Sequence, residues 1–213
     1  MMLIGMFDSP FVRPVAIALK RLKIPFEHAN WSVGKDFDRI REYNPLGRVP
    51  TLVLDDREIL VDSLAILDYI DDELAKPEQR LLPASGKDRR AVLRIVFTIV
   101  GAMEKARDQM YERLFKPQEK WHQPWIDRCA SQMSAALAEL NDYAAKRGSQ
   151  PWLVGNQMTR ADLMVACIYT LLGDAFGPQR EAGGYTALAA LTQRCEALPE
   201  FKATYSPWSA PQS

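Results

Sequence analysis

The chain has 213 residues, of which 47% are hydrophobic and 25% are charged, and its formal net charge at pH 7 is zero. This composition is typical of a soluble globular protein with one large domain or two small ones, and the lack of net positive charge and of a long basic run argues against nucleic acid as a partner. No apolar run reaches membrane-spanning length and no charged leader precedes the first apolar residues, so we expect a cytoplasmic protein without a membrane partner.

The first half of the chain alternates strand and helix patterns. The predicted elements are a strand at 3–7, a helix at 11–22, a strand at 25–30, an irregular or short helical connection up to 43, a hairpin of strands at 51–54 and 58–61, and a helix that Ser63 caps. Pro14 is tolerated only in the first turn of a helix, so the first helix should begin at Phe11 or later. These patterns predict a compact α/β unit over residues 1–76.

The second half of the chain is predicted to be helical. Residues 77–87 hold two prolines and a glycine without periodicity, which indicates a linker. Helical patterns follow at 88–115, 124–146, 159–172 and 185–197, each bounded by turn residues. At the start of the third pattern, Thr159 and Asp162 fit a capping box, in which the carboxylate reaches back to the Thr159 amide. We interpret this motif as a folding device, and residues 88–213 as one all-helical domain.

The junction between Val49 and Pro50 is the most informative local pattern. A cluster rich in proline and glycine, Asn44 to Pro50, runs directly into the apolar strand that begins at Thr51. Proline at a strand's start cannot donate to the sheet, and an X-Pro bond at such a junction is where we predict a cis peptide. In that form the Val49 amide and carbonyl would face outward and could pair with an extended peptide. The pattern therefore predicts a small peptide or peptide-like ligand.

Cysteines and histidines are too few and too scattered for a metal site. The chain has three cysteines, Cys129, Cys167 and Cys195, and two histidines, His28 and His122. None of them stands at the spacing of zinc ligands. Each cysteine falls in a helical pattern, which favours a buried, unreactive thiol. We expect no metal.

Four motifs stand in a fixed order along the chain. They are Ser9-Pro10-Phe11-Val12-Arg13, Asn44 to Pro50, Asp62 to Ile70, and Thr159 to Asp162. Together they resemble motifs of the cytosolic glutathione S-transferases. In the same order, these motifs are the active-site turn of the serine-type members (tau-like, as in plant and related bacterial members), the cis-proline loop, the glutamyl-binding segment and the helix-capping motif. The resemblance covers the whole chain. It implies a thioredoxin-like domain over residues 1–76, a linker over 77–87, an all-α domain over 88–213, and a homodimer.

The resemblance also implies a co-substrate, glutathione, and a role for Ser9. A free thiol has a pKa of about 8.5, and a hydroxyl that donates to the sulfur at a helix N-terminus favours the thiolate. Ser9 fits that catalytic donor, although its local sequence equally fits a helix cap. The resemblance implies no metal and assigns the glutathione contacts to six residues, which are Phe11, Arg48, Val49, Pro50, Asp62 and Ser63. Among them, the Val49 main chain would hold the cysteinyl unit, Arg48 would lie near the glycyl carboxylate, and Asp62 and Ser63 would hold the γ-glutamyl end.

A pocket for a small hydrophobic electrophile is expected between the domains. The residues predicted to line it are Phe7, Met103, Arg107 and Tyr111, with Phe11 and Phe37 as further candidates. Three of these share one helix face through their i, i+4, i+8 spacing. Such a stripe is also typical of a helix core. The segment Trp121 to Trp125 would either cover this site or pack a helix junction.

The leading hypothesis is a glutathione transferase, in which the thiolate attacks a soft electrophile. One alternative is a protein of the same fold that binds glutathione or an apolar ligand without turnover. Another is a glutathione-dependent isomerase, dehalogenase or peroxidase. The serine at position 9, where thiol-transferase relatives would have cysteine, argues against disulfide exchange.

Overall fold

The computed structural model describes residues 1–208, without the side chains of residues 178–182. The chain forms two compact units. The first consists of Met1–Leu82 together with the segment from Cys195 onward, and the second is Pro83–Arg194.

The first unit is built on a four-stranded mixed sheet. Its strands are β1 (Met2–Ile4), β2 (Glu27–Ala29), β3 (Thr51–Val53) and β4 (Ile59–Val61), in the order β2-β1-β3-β4. β1 runs parallel to β2 and antiparallel to β3, and β4 completes the predicted hairpin with β3. Leu3 and Leu52 face each other in the two central strands and are both fully buried, so the core of the unit lies at the middle of the sheet.

Three helices accompany the sheet. They are α1 (Val12–Arg21), α2 (Phe37–Arg41) and α3 (Ser63–Tyr69), and a π-helical turn over Ile70–Leu74 and a 3-10 turn over Pro77–Gln79 continue from α3. α1 is buried from Val12 to Leu19. Pro14 is the third residue of α1, where no intrahelical partner awaits its missing amide, so the predicted start of this helix is confirmed.

The first predicted strand was too long. β1 ends at Ile4, whereas a strand over 3–7 was expected. Gly5 has a positive φ of 127°, and a side chain there would approach the Val12 and Val49 side chains closer than atoms allow. The chain turns at this glycine, which removes Phe7 from the sheet.

The second unit is helical, as predicted. Its helices are α4 (Gly86–Leu114), α5 (Gln123–Lys146), α6 (Arg160–Ala182) and most of α7 (Thr186–Glu196), and α4 packs against both α5 and α6. α6 is kinked at Phe176, whose φ of −133° is non-helical, so the regular helix that begins at Arg160 extends only a few residues past the predicted end at 172. Within the described part of the chain, no helix is long and apolar enough to cross a membrane.

The predicted capping box is present at the start of α6. Asp162 Oδ2 accepts hydrogen bonds from Thr159 N and Thr159 Oγ1, each at 2.8 Å. Its other carboxylate oxygen accepts from Leu153 N at 2.8 Å. Burial raises the pKa of the Asp162 carboxyl above its ordinary value, although the three hydrogen bonds act in the opposite direction.

The units differ from the predicted domains at two places. Residues 77–82, predicted as linker, belong to the first unit, because the Asp71 carboxylate accepts hydrogen bonds from Leu81 N at 2.7 Å and Leu82 N at 2.9 Å. The segment from Cys195 onward, predicted as part of a helical domain over 88–213, also groups with the first unit. It contains α8 (Pro199–Lys202), which packs against α1.

Candidate functional site

Ser9 lies in the loop between β1 and α1, and its hydroxyl oxygen organises the start of the helix. Ser9 Oγ accepts hydrogen bonds from Phe11 N and Val12 N, each at 3.3 Å. Among the described residues, the Ser9 hydroxyl proton has no acceptor. Two amides that donate into the oxygen polarise the hydroxyl and strengthen it as a donor. Phe11 is the N-cap residue of α1, but Ser9 Oγ satisfies two amides at the start of the helix, and this role is compatible with a donor role of the Ser9 hydroxyl.

The loop from Asn44 to Pro50 is fixed from within by Asn44, which is 4% exposed. Asn44 Nδ2 donates to Arg48 O at 2.9 Å, and Asn44 Oδ1 accepts from Leu46 N at 3.1 Å. Gly47 N donates to Asn44 O at 2.8 Å, and Gly47 has a positive φ of 61°. A side chain on Gly47 would collide with the Phe37 ring. The loop therefore has one well-defined conformation.

The Val49-Pro50 peptide bond is cis, as predicted. Pro50 is buried and Val49 is half-buried. Neither the amide nor the carbonyl of Val49 makes a hydrogen bond within the described residues. This main chain is therefore available to pair with an extended ligand. The neighbouring Arg48 side chain is exposed and forms no ion pair with any described residue.

Asp62 and Ser63 form the turn from β4 into α3. Asp62, and not Ser63 as predicted, is the N-cap, because Asp62 Oδ1 accepts from Leu64 N at 2.9 Å. Ser63 is the first residue of α3 and is 2% exposed. Asp62 has φ 74° and ψ 137°, a conformation that L-residues rarely adopt. Such strain in a non-glycine residue is often associated with ligand sites.

Phe7 was predicted to line the electrophile pocket, and one face of its ring is already occupied. It stacks on His28 with ring centroids 3.8 Å apart and an interplanar angle of 4°. His28 Nε2 lies 2.8 Å from Gly5 O, which fixes the imidazole below the β1–α1 loop. The pair supports the loop that carries Ser9. Phe11, in the same loop, is half-buried.

The predicted face of α4 divides into a buried and an exposed part. Met103 is 5% exposed and belongs to the core, so the alternative interpretation of the stripe holds at this position. Arg107 is half-buried and Tyr111 is 46% exposed. Tyr111 packs edge-to-face against Phe115, with ring centroids 5.1 Å apart.

A surface cavity of about 350 Å³ lies at the end of α4. Its lining residues are Asp108, Tyr111, Glu112, Phe115, Lys116 and Trp125. Lys116 Nζ contacts both Glu112 carboxylate oxygens, at 2.7 and 2.9 Å, and His122 N donates to Glu112 at 3.0 Å. These hydrogen bonds hold the pKa of Glu112 below its ordinary value. Trp121 Nε1 donates to Lys116 O at 2.9 Å, so Trp121 fastens the α4–α5 junction.

The cysteines offer no reactive thiol. Cys129, Cys167 and Cys195 are all buried and none forms a disulfide. Burial raises the pKa of the Cys129 thiol above its ordinary value, which keeps it protonated. Within the described residues, no group of three or more histidine, cysteine or acidic side chains could hold a metal ion.

Two family models match the chain. The glutathione S-transferase N-terminal domain matches residues 3–78, and the glutathione S-transferase C-terminal domain matches residues 103–205. The chain belongs to the glutathione S-transferase family. This membership confirms the predicted family and the predicted fold, a small mixed-sheet domain followed by a helical domain, whereas the serine-type active-site turn stays a prediction.

Similar proteins of this family include transferases and an isomerase. A glutathione S-transferase of Methylobacterium radiotolerans, solved in complex with glutathione sulfonate, is 26% identical, with a TM-score of 0.88 over 100% of this chain and 97% of that one. Glutathione S-transferase GstA of Escherichia coli O157:H7 is 29% identical over 74% of this chain and 72% of its own. The probable maleylacetoacetate isomerase 1 of Drosophila melanogaster is 26% identical over 79% of this chain, which spans 63% of that relative's length.

Two residues near the site were given no role by the sequence. Asn44 fixes the proline loop, and an asparagine two residues before Leu46 in a proline- and glycine-rich turn is a recognisable signal for such a bond. Arg13 is buried against Glu196, which lies 183 residues away. No local pattern predicts that contact.

Proposed function

We propose that the protein is a glutathione transferase in which Ser9 stabilises the glutathione thiolate. The observation that carries the proposal is the Ser9 hydroxyl. Its oxygen is engaged by two amides at the start of α1, while its proton has no acceptor in the described part of the chain. A hydrogen bond to sulfur lowers the thiol pKa, and each pKa unit corresponds to about 1.4 kcal/mol. The thiolate then attacks an electrophilic carbon and forms the thioether, either as the bond to a leaving group breaks or as the π bond of an activated alkene breaks and the resulting carbanion takes a proton from water.

The other predicted residues are proposed to hold glutathione along its length. Val49 pairs its unbonded amide and carbonyl with the cysteinyl unit, as in the addition of a strand to a sheet. Arg48 is exposed and attracts the glycyl carboxylate. Asp62 has a carboxylate oxygen left over from its capping bond for the γ-glutamyl ammonium. Ser63, as the first residue of α3, has an amide without an intrahelical partner for the γ-glutamyl carboxylate.

The proposal extends to the second substrate and to the assembly. Phe11 and the exposed part of α4, Arg107 and Tyr111, are proposed to contact a small hydrophobic electrophile. Phe7 contributes through its stack on His28. The protein is proposed to act as a homodimer in the cytoplasm.

One experiment tests the role of Ser9. The ultraviolet absorbance of the bound glutathione thiolate is titrated against pH in the wild type, in Ser9→Ala and in Ser9→Thr. We expect a lowered thiol pKa in the wild type, a rise by about one to two units in Ser9→Ala, and partial recovery in Ser9→Thr, which keeps the hydroxyl donor. Thermal unfolding of the same variants measures the separate loss of the cap, about 1 kcal/mol in Ser9→Ala.

Two results would contradict the proposal. If the wild type binds glutathione without lowering its thiol pKa, the alternative of a non-catalytic glutathione-binding protein is favoured. If it binds no glutathione at all, both are wrong. A second candidate activity, glutathione-dependent isomerisation, is favoured by the similarity to a probable maleylacetoacetate isomerase. It predicts turnover of a cis-enone or cis-enedione substrate without net consumption of glutathione.

A further inference from the structure

Arg13 is a buried cation in the first turn of α1, the helix that follows the loop with Ser9. It is the second residue of α1 and is 3% exposed. The N-terminus of a helix is an unfavourable place for a cation because of the helix dipole, and the first turn of α1 contains no acidic residue. A guanidinium in this position therefore needs a partner from elsewhere in the chain.

The C-terminal segment supplies that partner within the same compact unit. Arg13 Nη1 donates to Glu196 Oε1 at 2.7 Å, and Nη2 donates to Glu196 Oε2 at 2.5 Å. Nη2 also donates to Phe201 O at 3.1 Å, and the guanidinium carbon lies 5.4 Å from the centre of the Tyr205 ring. A bidentate pair of this kind fixes the orientation of the planar guanidinium as well as its position. We call these contacts the Arg13 clamp.

The clamp is coupled to Ser9 through a single turn of backbone. Arg13 N donates to Ser9 O at 3.1 Å, and two of the three residues between them, Phe11 and Val12, supply the amides that donate to Ser9 Oγ. A change in the position of residue 13 therefore moves the donors that orient the Ser9 hydroxyl. Buried ion pairs are weak evidence for stability, since apolar side chains of similar size often serve as well. What the ion pair of Arg13 with Glu196 adds is a fixed orientation of the Arg13 side chain.

We propose that Arg13 is a positioning residue for the Ser9 hydroxyl, held in place by Glu196 and the Phe201 carbonyl. The inference rests on the proposed function and adds a requirement to it, because the C-terminal segment becomes part of the thiolate-stabilising machinery. Arg13 acts through the turn and does not touch glutathione.

A purely electrostatic role of Arg13 would change the thiol pKa of bound glutathione in the opposite direction in one variant, Glu196→Gln. If Arg13 lowered the thiol pKa through its charge alone, Glu196→Gln would leave more net positive charge near the sulfur and lower the thiol pKa further. If Arg13 acts by position, Glu196→Gln weakens the bidentate contact and raises the thiol pKa. Arg13→Lys keeps the charge and loses the planar fork. A positional role therefore predicts a raised thiol pKa in both variants.

The test measures the thiol pKa of bound glutathione, kcat and KM with a model electrophile, and amide exchange of Phe11 and Val12. For Arg13→Lys and Glu196→Gln we expect a rise of about one pKa unit, equivalent to about tenfold less thiolate at a pH well below the thiol pKa. We expect kcat to fall by a similar factor at such a pH, with KM for glutathione changed less than about twofold. Exchange of the two amides should accelerate about tenfold, because their acceptor is no longer held.

Arg21→Lys is the matched control. Arg21 lies in the last turn of the same helix and pairs with Glu200 of the same C-terminal segment at 3.9 Å. It is exposed and lies at the opposite end of α1 from Ser9. We expect it to leave all three readouts unchanged.

Four outcomes decide between the interpretations. Wild-type thiol pKa, kcat and exchange rates in Arg13→Lys overturn the proposal, as does a lowered thiol pKa in Glu196→Gln. If exchange accelerates only in residues 196–205, the clamp merely anchors the C-terminal segment and the proposal is wrong. If the wild type does not activate glutathione, the proposed function fails, whereas exchange at Phe11 and Val12 still reports on the clamp. Should Arg13→Lys not fold, Glu196→Gln provides the same test.

Discussion

Among the aspartates at the helix starts of this protein, Asp162 and Asp62 have opposite surroundings. Asp162, in the first turn of α6, is fully buried and accepts three hydrogen bonds from Leu153 and Thr159. Asp62, the N-cap of α3, is exposed, has a strained φ of 74° and accepts one hydrogen bond. A carboxylate whose oxygens are both used by the fold is a folding device. One that keeps an oxygen free on a strained backbone is suited to a ligand.

The largest expected effect is on stability, at Asp162. Asp162→Ala leaves the buried Leu153 and Thr159 amides without acceptors, so we expect a loss of about 3–5 kcal/mol in the free energy of unfolding. Urea denaturation measures this loss. Asp162→Asn keeps one acceptor oxygen and should lose less. Equal stability of Asp162→Ala and the wild type would contradict the assignment of Asp162 as a folding device.

A smaller effect, on affinity, is expected at Asp62. Glycine adopts a positive φ without strain, so Asp62→Gly should change stability by only a few tenths of a kcal/mol. The loss of the carboxylate should weaken glutathione binding by about tenfold to a hundredfold, since a charge-assisted contact contributes about 1.5–3 kcal/mol. Isothermal titration calorimetry with glutathione measures the affinity.

Arg57→Gly is the control for the backbone effect. Arg57 also has a φ of 74°, in the turn of the β3–β4 hairpin, so replacement by glycine relieves similar strain without removing a proposed glutathione contact. We expect unchanged affinity and a gain in stability of about 0.5–1 kcal/mol. If both glycine variants bind glutathione like the wild type, Asp62 is only a cap, and the contrast with Asp162 loses its functional meaning.

Features determined by neighbouring residues could be predicted from the sequence. The capping box at Thr159 and Asp162 needs only four consecutive residues, and the cis peptide at Pro50 follows from a proline placed before a strand. The helix start imposed by Pro14 is equally local. The family resemblance, which depends on motifs of this kind, was confirmed for the same reason.

Features that depend on packing could not be predicted. Met103 has the spacing of a pocket residue, but periodicity does not distinguish a buried face from a ligand-lined one. The stacking of Phe7 on His28 depends on a turn at Gly5 that ended the strand early. The Arg13 clamp joins residues 183 positions apart, so it exists only once the C-terminal segment has packed against α1.

The smallest expected effect is the pH dependence of stability. Its direction depends on whether burial or hydrogen bonding dominates the pKa of a carboxyl group. Burial raises the pKa of Asp162 in the folded state above its unfolded value of about 3.9. The folded state therefore binds this proton more tightly, and the stability that Asp162 contributes is fully present below pH 3.9 or so and is lost as pH rises through the folded pKa. In the interval between the two pKa values, the difference in unfolding free energy between wild type and Asp162→Asn should grow as pH falls.

The stability that Glu112 contributes should change with pH in the opposite direction. Hydrogen bonds from Lys116 and His122 N lower its pKa in the folded state, so the stability that it contributes is present above its unfolded pKa and is lost as pH falls through the folded pKa. The difference between wild type and Glu112→Gln should therefore shrink as pH falls below the unfolded pKa of Glu112, whereas the Asp162→Asn difference grows as pH falls from the folded pKa of Asp162 towards its unfolded pKa. Urea denaturation at a series of pH values measures both. If the two differences in unfolding free energy, wild type against Asp162→Asn and wild type against Glu112→Gln, both shrank as pH falls, burial would not dominate the pKa of Asp162. Its three hydrogen bonds would then hold the carboxylate ionised.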